Sequence, residues 1–124
     1  MLNKIQDFIR RIKWKIQKQK RGWSDMEIWN LDDTIVKWIV PRLKAYKDTT
    51  QGYPGNLDSY GLWQSMLDEM IFGFEFDESN WYAEHVFGLQ GEEKEKKFKE
   101  FESLRERAEN GRILFAKYFN NLWW

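Results

Sequence analysis

From Phe101 onward the apolar residues advance in alternating steps of three and four: Phe101, Leu104, Ala108, Gly111, Phe115, Tyr118 and Leu122. That spacing puts all of them on one stripe of an α-helix, and the alternation is that of a coiled-coil seam. A helix predicted from about Glu92 to Leu122 cannot leave such a stripe in water, so the chain must provide another helix to cover it. Ala108 and Gly111 make the middle of the seam shallow, which lets a partner helix approach closely there.

The most apolar stretch is the obvious partner. Leu62, Trp63, Met66, Leu67, Met70, Ile71 and Phe74 cover more than one face of a helix, which marks a central, deeply buried element. Phe72, Phe74 and Phe76 also alternate as a strand would, but length and the preceding period favour helix. Upstream, Ser24-x-x-Glu27 reads as a capping box opening a helix from about Asp25 to Tyr46, with Ile28, Leu31, Ile35, Trp38, Ile39 and Leu43 as its stripe. Pro41 removes one hydrogen bond from it, which predicts a kink near Val40 or two short helices meeting there. Residues 48–61 carry turn chemistry, and Tyr53-Pro54 is a candidate cis bond. Residues 77–91 read as a connector with a helical turn around Tyr82 to Phe87. At the N-terminus, Leu2, Ile5, Phe8, Ile9, Ile12 and Ile16 form one apolar stripe among Lys and Arg, ended by Gly22. The expected fold class is all-α: about four helices in a bundle-like arrangement, with a basic amphipathic N-terminal helix and a long C-terminal helix.

The 124 residues suit one domain. Twenty basic and twenty acidic residues balance, yet unevenly along the chain. Residues 1–21 hold eight cations (Lys4, Arg10, Arg11, Lys13, Lys15, Lys18, Lys20 and Arg21) against Asp7, a net +7, and the remainder is −7. The organisation is therefore a basic helical segment, 1–21, on an acidic helical body, 22–124. With no cysteine, disulfides, thiolate metal sites and Cys nucleophiles are excluded. Apolar runs fall far short of the ~20 residues that cross a bilayer, and the N-terminus lacks the apolar core of a signal peptide. A soluble intracellular protein is the expectation.

Several runs resemble a family of small proteins encoded by tailed bacteriophages. They are Trp29-Asn30-Leu31-Asp32, Pro41-Arg42-Leu43-Lys44, Gly52-Tyr53-Pro54, Leu67-Asp68-Glu69-Met70-Ile71 and Phe74-Glu75-Phe76. The closing Gly111-x-x-Leu114-Phe115-x-Lys117-Tyr118-Phe119-x-x-Leu122-Trp123 completes them, so the likeness spans roughly residues 22 to 123. The resemblance implies a phage origin and the cytoplasm of an infected bacterial host. It brings no catalytic residues to transfer, and makes host takeover, counter-defence and genome handling the natural roles.

Three constellations bear on chemistry. Asp32 lies beside the apolar stripe of its helix and calls for a cationic partner, Arg42 or Lys117, while Asp33 can pair with Lys37 at i,i+4. A metal site would draw on Asp32, Asp68 and Glu69, with Glu75, Glu102, Glu106 and Glu109 on neighbouring helices. Such carboxylates hold Mg²⁺ or Mn²⁺ in all-α nucleotide hydrolases; here only Glu106-x-x-Glu109 and Asp68-Glu69 approach the required spacing. Acidic residues on helices are otherwise solvated surface. His85 is the sole histidine, which excludes a multi-histidine metal site, and the eight glycines form no phosphate-binding motif.

The basic helix is the strongest functional feature. Arg10, Arg11, Lys13 and Lys18, interleaved with Phe8 and Trp14, suit an acidic protein, nucleic-acid phosphates or an anionic membrane surface, with a host protein or self-association favoured over the membrane. The competing reading docks the stripe on the acidic body or on a second copy, leaving the cations solvated. Tyr53, Trp81, Tyr82, Trp123 and Trp124 sit in loops or at the terminus. Beside cations such as Arg42 they could stack a base or form a protein hot spot, or simply seal the ends of the bundle. The candidate contact set is Arg10, Arg11, Lys13, Trp14, Lys18, Arg42, Tyr53, Trp81, Tyr82 and Trp123. It points to a protein that acts by binding and self-associates, and the resemblance implies that this is a phage accessory protein, host-directed or counter-defence in role. Nucleotide or nucleic-acid sequestration and metal-dependent nucleotide hydrolysis are the alternatives, and no cofactor is expected unless the last holds.

Overall fold

The computed structural model describes Leu2–Trp123, and every regular element among those residues is helical. The order is α1 Leu2–Arg21, α2 Asp25–Trp29, α3 Leu31–Thr49, α4 Tyr60–Glu75, α5 Glu78–His85 and α6 Gly91–Lys117, closed by a 3₁₀ turn at Phe119–Asn121. The chain divides into two compact units, Met1–Trp38 and Ile39–Trp124. The first joins α1, α2 and the start of α3, so the basic helix does not stand as a unit alone.

In the second unit the core is built by Leu43 of α3, Trp63, Leu67, Met70 and Ile71 of α4, and Tyr118. Trp63 is wholly buried, with its ring edge-on to Tyr118 at 5.7 Å between centroids. The seam of α6 is where its period places it: Phe101, Ala108, Gly111 and Tyr118 are buried, and Leu104, Phe115 and Leu122 are half-buried. Its principal partner is α4. The two helices meet backbone to backbone at Gly73 and Gly111. A Cβ on Gly111 would run into the Glu69 carbonyl oxygen and come within 3.1 Å of the Gly73 Cα. One on Gly73 would lie 2.8 Å from the Ala108 oxygen and the Arg112 nitrogen. Arg112 closes the crossing by donating from Nη1 to the Gly73 carbonyl at 2.7 Å. Phe74 and Phe115 extend the contact edge to face, 4.9 Å apart.

Four expectations change. The break in the second predicted helix falls at Asn30, whose φ of −121° and ψ of 63° leave the helical region; α3 then runs through Pro41. Asn30 is tolerated because Thr34 Oγ1 donates to the freed Glu27 carbonyl at 2.7 Å. Pro41 is tolerated because the carbonyl it deprives belongs to exposed Lys37, where water can reach it. Tyr53-Pro54 is trans, as no cis bond occurs among the described residues. Residues 77–91 hold a full helix, α5, started by Asp77, whose Oδ1 accepts from the Asn80 amide at 3.0 Å. The last helix stops at Lys117 rather than Leu122, tightening into the 3₁₀ turn. The break at Asn30 and the presence of α5 raise the expected four helices to six among the described residues.

The first unit is different in kind. Among the described residues of this unit only Ser24 is buried, and no large apolar side chain is. α1 and α2 are joined by polar contacts and one aromatic pair, Trp14 with Trp29.

Candidate interaction surface

Gly22, at φ +87°, ends α1 in the left-handed conformation that suits glycine, and its amide donates to the Lys18 carbonyl at 2.9 Å. The turn brings α2 back onto α1. Gln17 grips the start of α2 twice: Nε2 donates to Asp25 Oδ2 and Oε1 accepts the Asp25 amide, both at 2.9 Å. Arg21 Nη2 reaches Asp25 Oδ1 at 2.6 Å, while its guanidinium lies 3.7 Å over the Trp23 ring. Lys18 Nζ approaches Glu27 at 3.6 Å. The Glu27 carboxylate also accepts the Ser24 amide, one arm of the capping box. Trp14 meets Trp29 edge to face at 5.7 Å. The hydrogen bonds from Gln17 and Arg21 hold the Asp25 carboxyl below its ordinary 3.8. The Ser24 amide, followed by Lys18, holds Glu27 below its ordinary 4.5.

The α2 contacts therefore use one particular side of α1. At ~100° per residue, Trp14, Gln17, Lys18 and Arg21 lie roughly 160° round the helix from the apolar stripe. Leu2, Ile5, Phe8, Ile9, Ile12 and Ile16 span a sector of roughly 120°, and each keeps between 42% (Ile12) and 76% (Leu2) of its surface exposed. Lys4, Arg11 and Lys15 border the stripe on one edge, Lys13 and Lys20 on the other. Together with Arg10 these cations form no ion pair among the described residues. The candidate residues of α1 thus separate: Arg10, Arg11 and Lys13 stand in solvent, whereas Trp14 and Lys18 are engaged in holding α2.

The remaining candidates have other surroundings. Trp81 and Tyr82 are half-buried, packed against Phe101 with ring centroids 6.0 and 5.5 Å away, so they seal α5 onto α6. Tyr53 and Trp123 come together. With Tyr46, Pro54, Trp63 and Asn121 they line a cleft of about 420 Å³. Among the described residues, no Lys, Arg, Asp or Glu lines it. Tyr46 Oη, donating toward the carbonyls of Asn121 (3.3 Å) and Trp123 (3.1 Å), closes one wall. Arg42 is exposed at mid-α3 and does not line the cleft.

The carboxylates proposed for a metal are engaged elsewhere. Asp68 receives Lys47 Nζ at 2.7 Å, which raises the Lys47 pKa. Glu69 takes Arg107 in a two-pronged pair at 2.8 and 3.1 Å, which raises the Arg107 pKa. Asp32 belongs to the other unit and is exposed. Its Oδ1 accepts the Asp33 amide at 2.9 Å in the first turn of α3, where a carboxylate complements the helix dipole. That placement replaces the expected half-buried pairing, while Asp33 does reach Lys37, at 2.8 Å. Among the described residues no group of three or more His, Asp or Glu side chains is arranged to hold a metal ion. Nor is any helix long and apolar enough to cross a membrane. His85 is exposed, 3.9 Å from Glu84 and stacked on Trp81.

Sequence reasoning missed Gln17 and Asp25, the pair that sets which face of α1 is covered. The available signal was a polar Gln17 on the side of α1 away from the stripe and an acidic Asp25 just beyond the glycine turn. Comparison with protein-family models, curated proteins and solved structures finds no match for this chain.

Proposed function

We propose that this is a phage-type accessory protein that acts by binding a macromolecular partner in its bacterial host, with the first unit as the binding element and the second as its folded support. The observation that carries this reading is the exposed apolar stripe of α1, centred away from the residues that hold α2 and edged by cations that form no ion pair among the described residues. A solvated face of six large apolar residues is costly to keep, at ~25 cal/mol for each Å² that a partner could cover, and contiguous apolar patches of this kind mark interaction sites. Host takeover or counter-defence is the role that the phage resemblance suggests for such a surface.

The test is fractionation of bacterial cells making the full chain or the Ile5→Glu/Ile12→Glu variant. The expected result is that the native chain travels with a larger host component and the variant runs at its own mass. Identical migration of both, at the mass of the chain alone, refutes the reading.

A second reading, sequestration of a small ligand, rests on the Tyr53–Trp123 cleft. With no charged side chain among the described residues of its lining, the cleft suits an uncharged planar group better than a nucleotide phosphate.

A further inference from the structure

We infer that the partner of α1 is an anionic bilayer surface, on which the helix lies in the plane of the headgroups. This names the partner for the binding role proposed above and rests on it. Three features of the first unit select a lipid surface over other anions. The apolar sector is continuous along the helix, from Leu2 through Ile16, and stays largely in solvent, although Ile9 near its edge also lines a shallow cleft with Asp25 and Trp29 of α2. Both edges carry long cationic side chains, Lys4, Arg11 and Lys15 on one and Lys13 and Lys20 on the other. Such stems can lie along hydrocarbon while their heads reach phosphates. The hydrogen bonds and ion pairs to Asp25 and Glu27 come from Gln17, Lys18 and Arg21 on the opposite side, while Lys13 at the edge of the stripe adds a weaker electrostatic pull on Asp25.

Nucleic acid would engage the cations and leave six apolar side chains in water. A second copy of α1 would cover the apolar stripe but bring +7 against +7. An anionic bilayer satisfies both at once. Each Lys or Arg held near such a surface strengthens partition about fivefold, and the attraction is screened by salt within a Debye length.

The experiment is flotation of the full chain with vesicles of phosphatidylglycerol and phosphatidylethanolamine, compared with vesicles of phosphatidylcholine alone. The expected result is recovery with the anionic vesicles, little with the neutral ones, and a decline as salt rises. Ile9→Glu/Ile12→Glu should abolish recovery, and Lys4→Gln/Lys15→Gln should weaken it at least tenfold. Because these residues are exposed, the variants keep the far-ultraviolet circular dichroism and melting of the native chain. The comparison between the two lipids also needs no variant. Failure to float with anionic vesicles overturns the inference, as does equal recovery of the Ile9→Glu/Ile12→Glu variant. Concentration-dependent dimers that the same variant dissolves, without flotation, assign the stripe to a second copy instead. If cell fractionation still shows a host complex while vesicles fail, the membrane is refuted and the binding role stands.

Discussion

Replacing Gly111 by alanine tests the packing of α4 on α6 most directly. On an open helix the change would stabilise, because alanine exceeds glycine in helix propensity by up to ~1 kcal/mol. Here the new methyl meets the Glu69 carbonyl oxygen and the Gly73 Cα. Neither can rotate aside, since both are backbone, so the helices must part. Overpacking of this kind costs about 1–3 kcal/mol. Separation also strains the bond from Arg112 to the Gly73 carbonyl, a charge-assisted contact of a class that contributes about 1.5–3 kcal/mol. After the propensity gain, the net loss should be about 2–4 kcal/mol, a fall in Tm of about 10 °C for a chain of this length. Gly61→Ala is the matched control. Its nearest neighbour would be Ser59 Oγ at 3.9 Å, so it should leave Tm unchanged or slightly raised. Thermal and urea unfolding followed by circular dichroism reads both. A Gly111→Ala protein melting at or above the native chain would refute the close approach.

Acid should open the first unit selectively. The Asp25 and Glu27 carboxyls lie below their ordinary values in the folded chain, so the stability they lend is complete above 3.8 and 4.5 respectively. It is lost as pH falls through their lowered folded values. The Trp14 indole resonance should shift in that acidic window, and Asp25→Asn/Glu27→Gln should remove the transition; a midpoint above pH 6 would contradict the assignment. Asp77→Ala should cost about 1 kcal/mol by removing the cap of α5, and increased quenching of Trp81 by iodide would report the loosened helix. The Glu69–Arg107 pair is half exposed. A double-mutant cycle with Glu69→Gln and Arg107→Met should therefore give coupling below ~1 kcal/mol. A value several times larger would mean the pair is far less solvated than the structure has it.

The parts of the fold that were legible are those with sustained period. Six alternating steps of three and four from Phe101 to Leu122, and an apolar α4 wide enough to be central, leave few alternatives. What escaped was local and chemical. Asn30 interrupts a stripe that continues through Ile28, Leu31 and Ile35, so periodicity runs straight past it; only the Thr34 hydroxyl on the Glu27 carbonyl makes the break affordable. Gly73 has no signal of its own in an apolar helix, because its role exists only against Gly111. Trp81 and Tyr82 looked available because α5 went unrecognised, its eight residues being too few for a clear stripe. Of the candidate surface, the spacing of Leu2, Ile5, Phe8, Ile9, Ile12 and Ile16 was readable as a stripe. Which side of it is covered depended on the Gln17–Asp25 contact, and no spacing rule encodes that.

The glycine crossing has a consequence for how the second unit forms. Gly111 lies inside α6, where a glycine weakens the isolated helix by up to ~1 kcal/mol, and Gly73 lies in the last turn of α4, where it favours fraying. Neither helix recovers that loss alone, since the compensation lies in the contact the other provides. Helix growth and helix docking should consequently proceed as a single cooperative event. The two glycines are 38 residues apart in sequence, as the Arg112–Gly73 hydrogen bond is 39. The chain between them must close its loop before either helix is secure. A fragment ending before Gly111 should show little of the α4 helix, for the same reason that the intact chain holds it firmly.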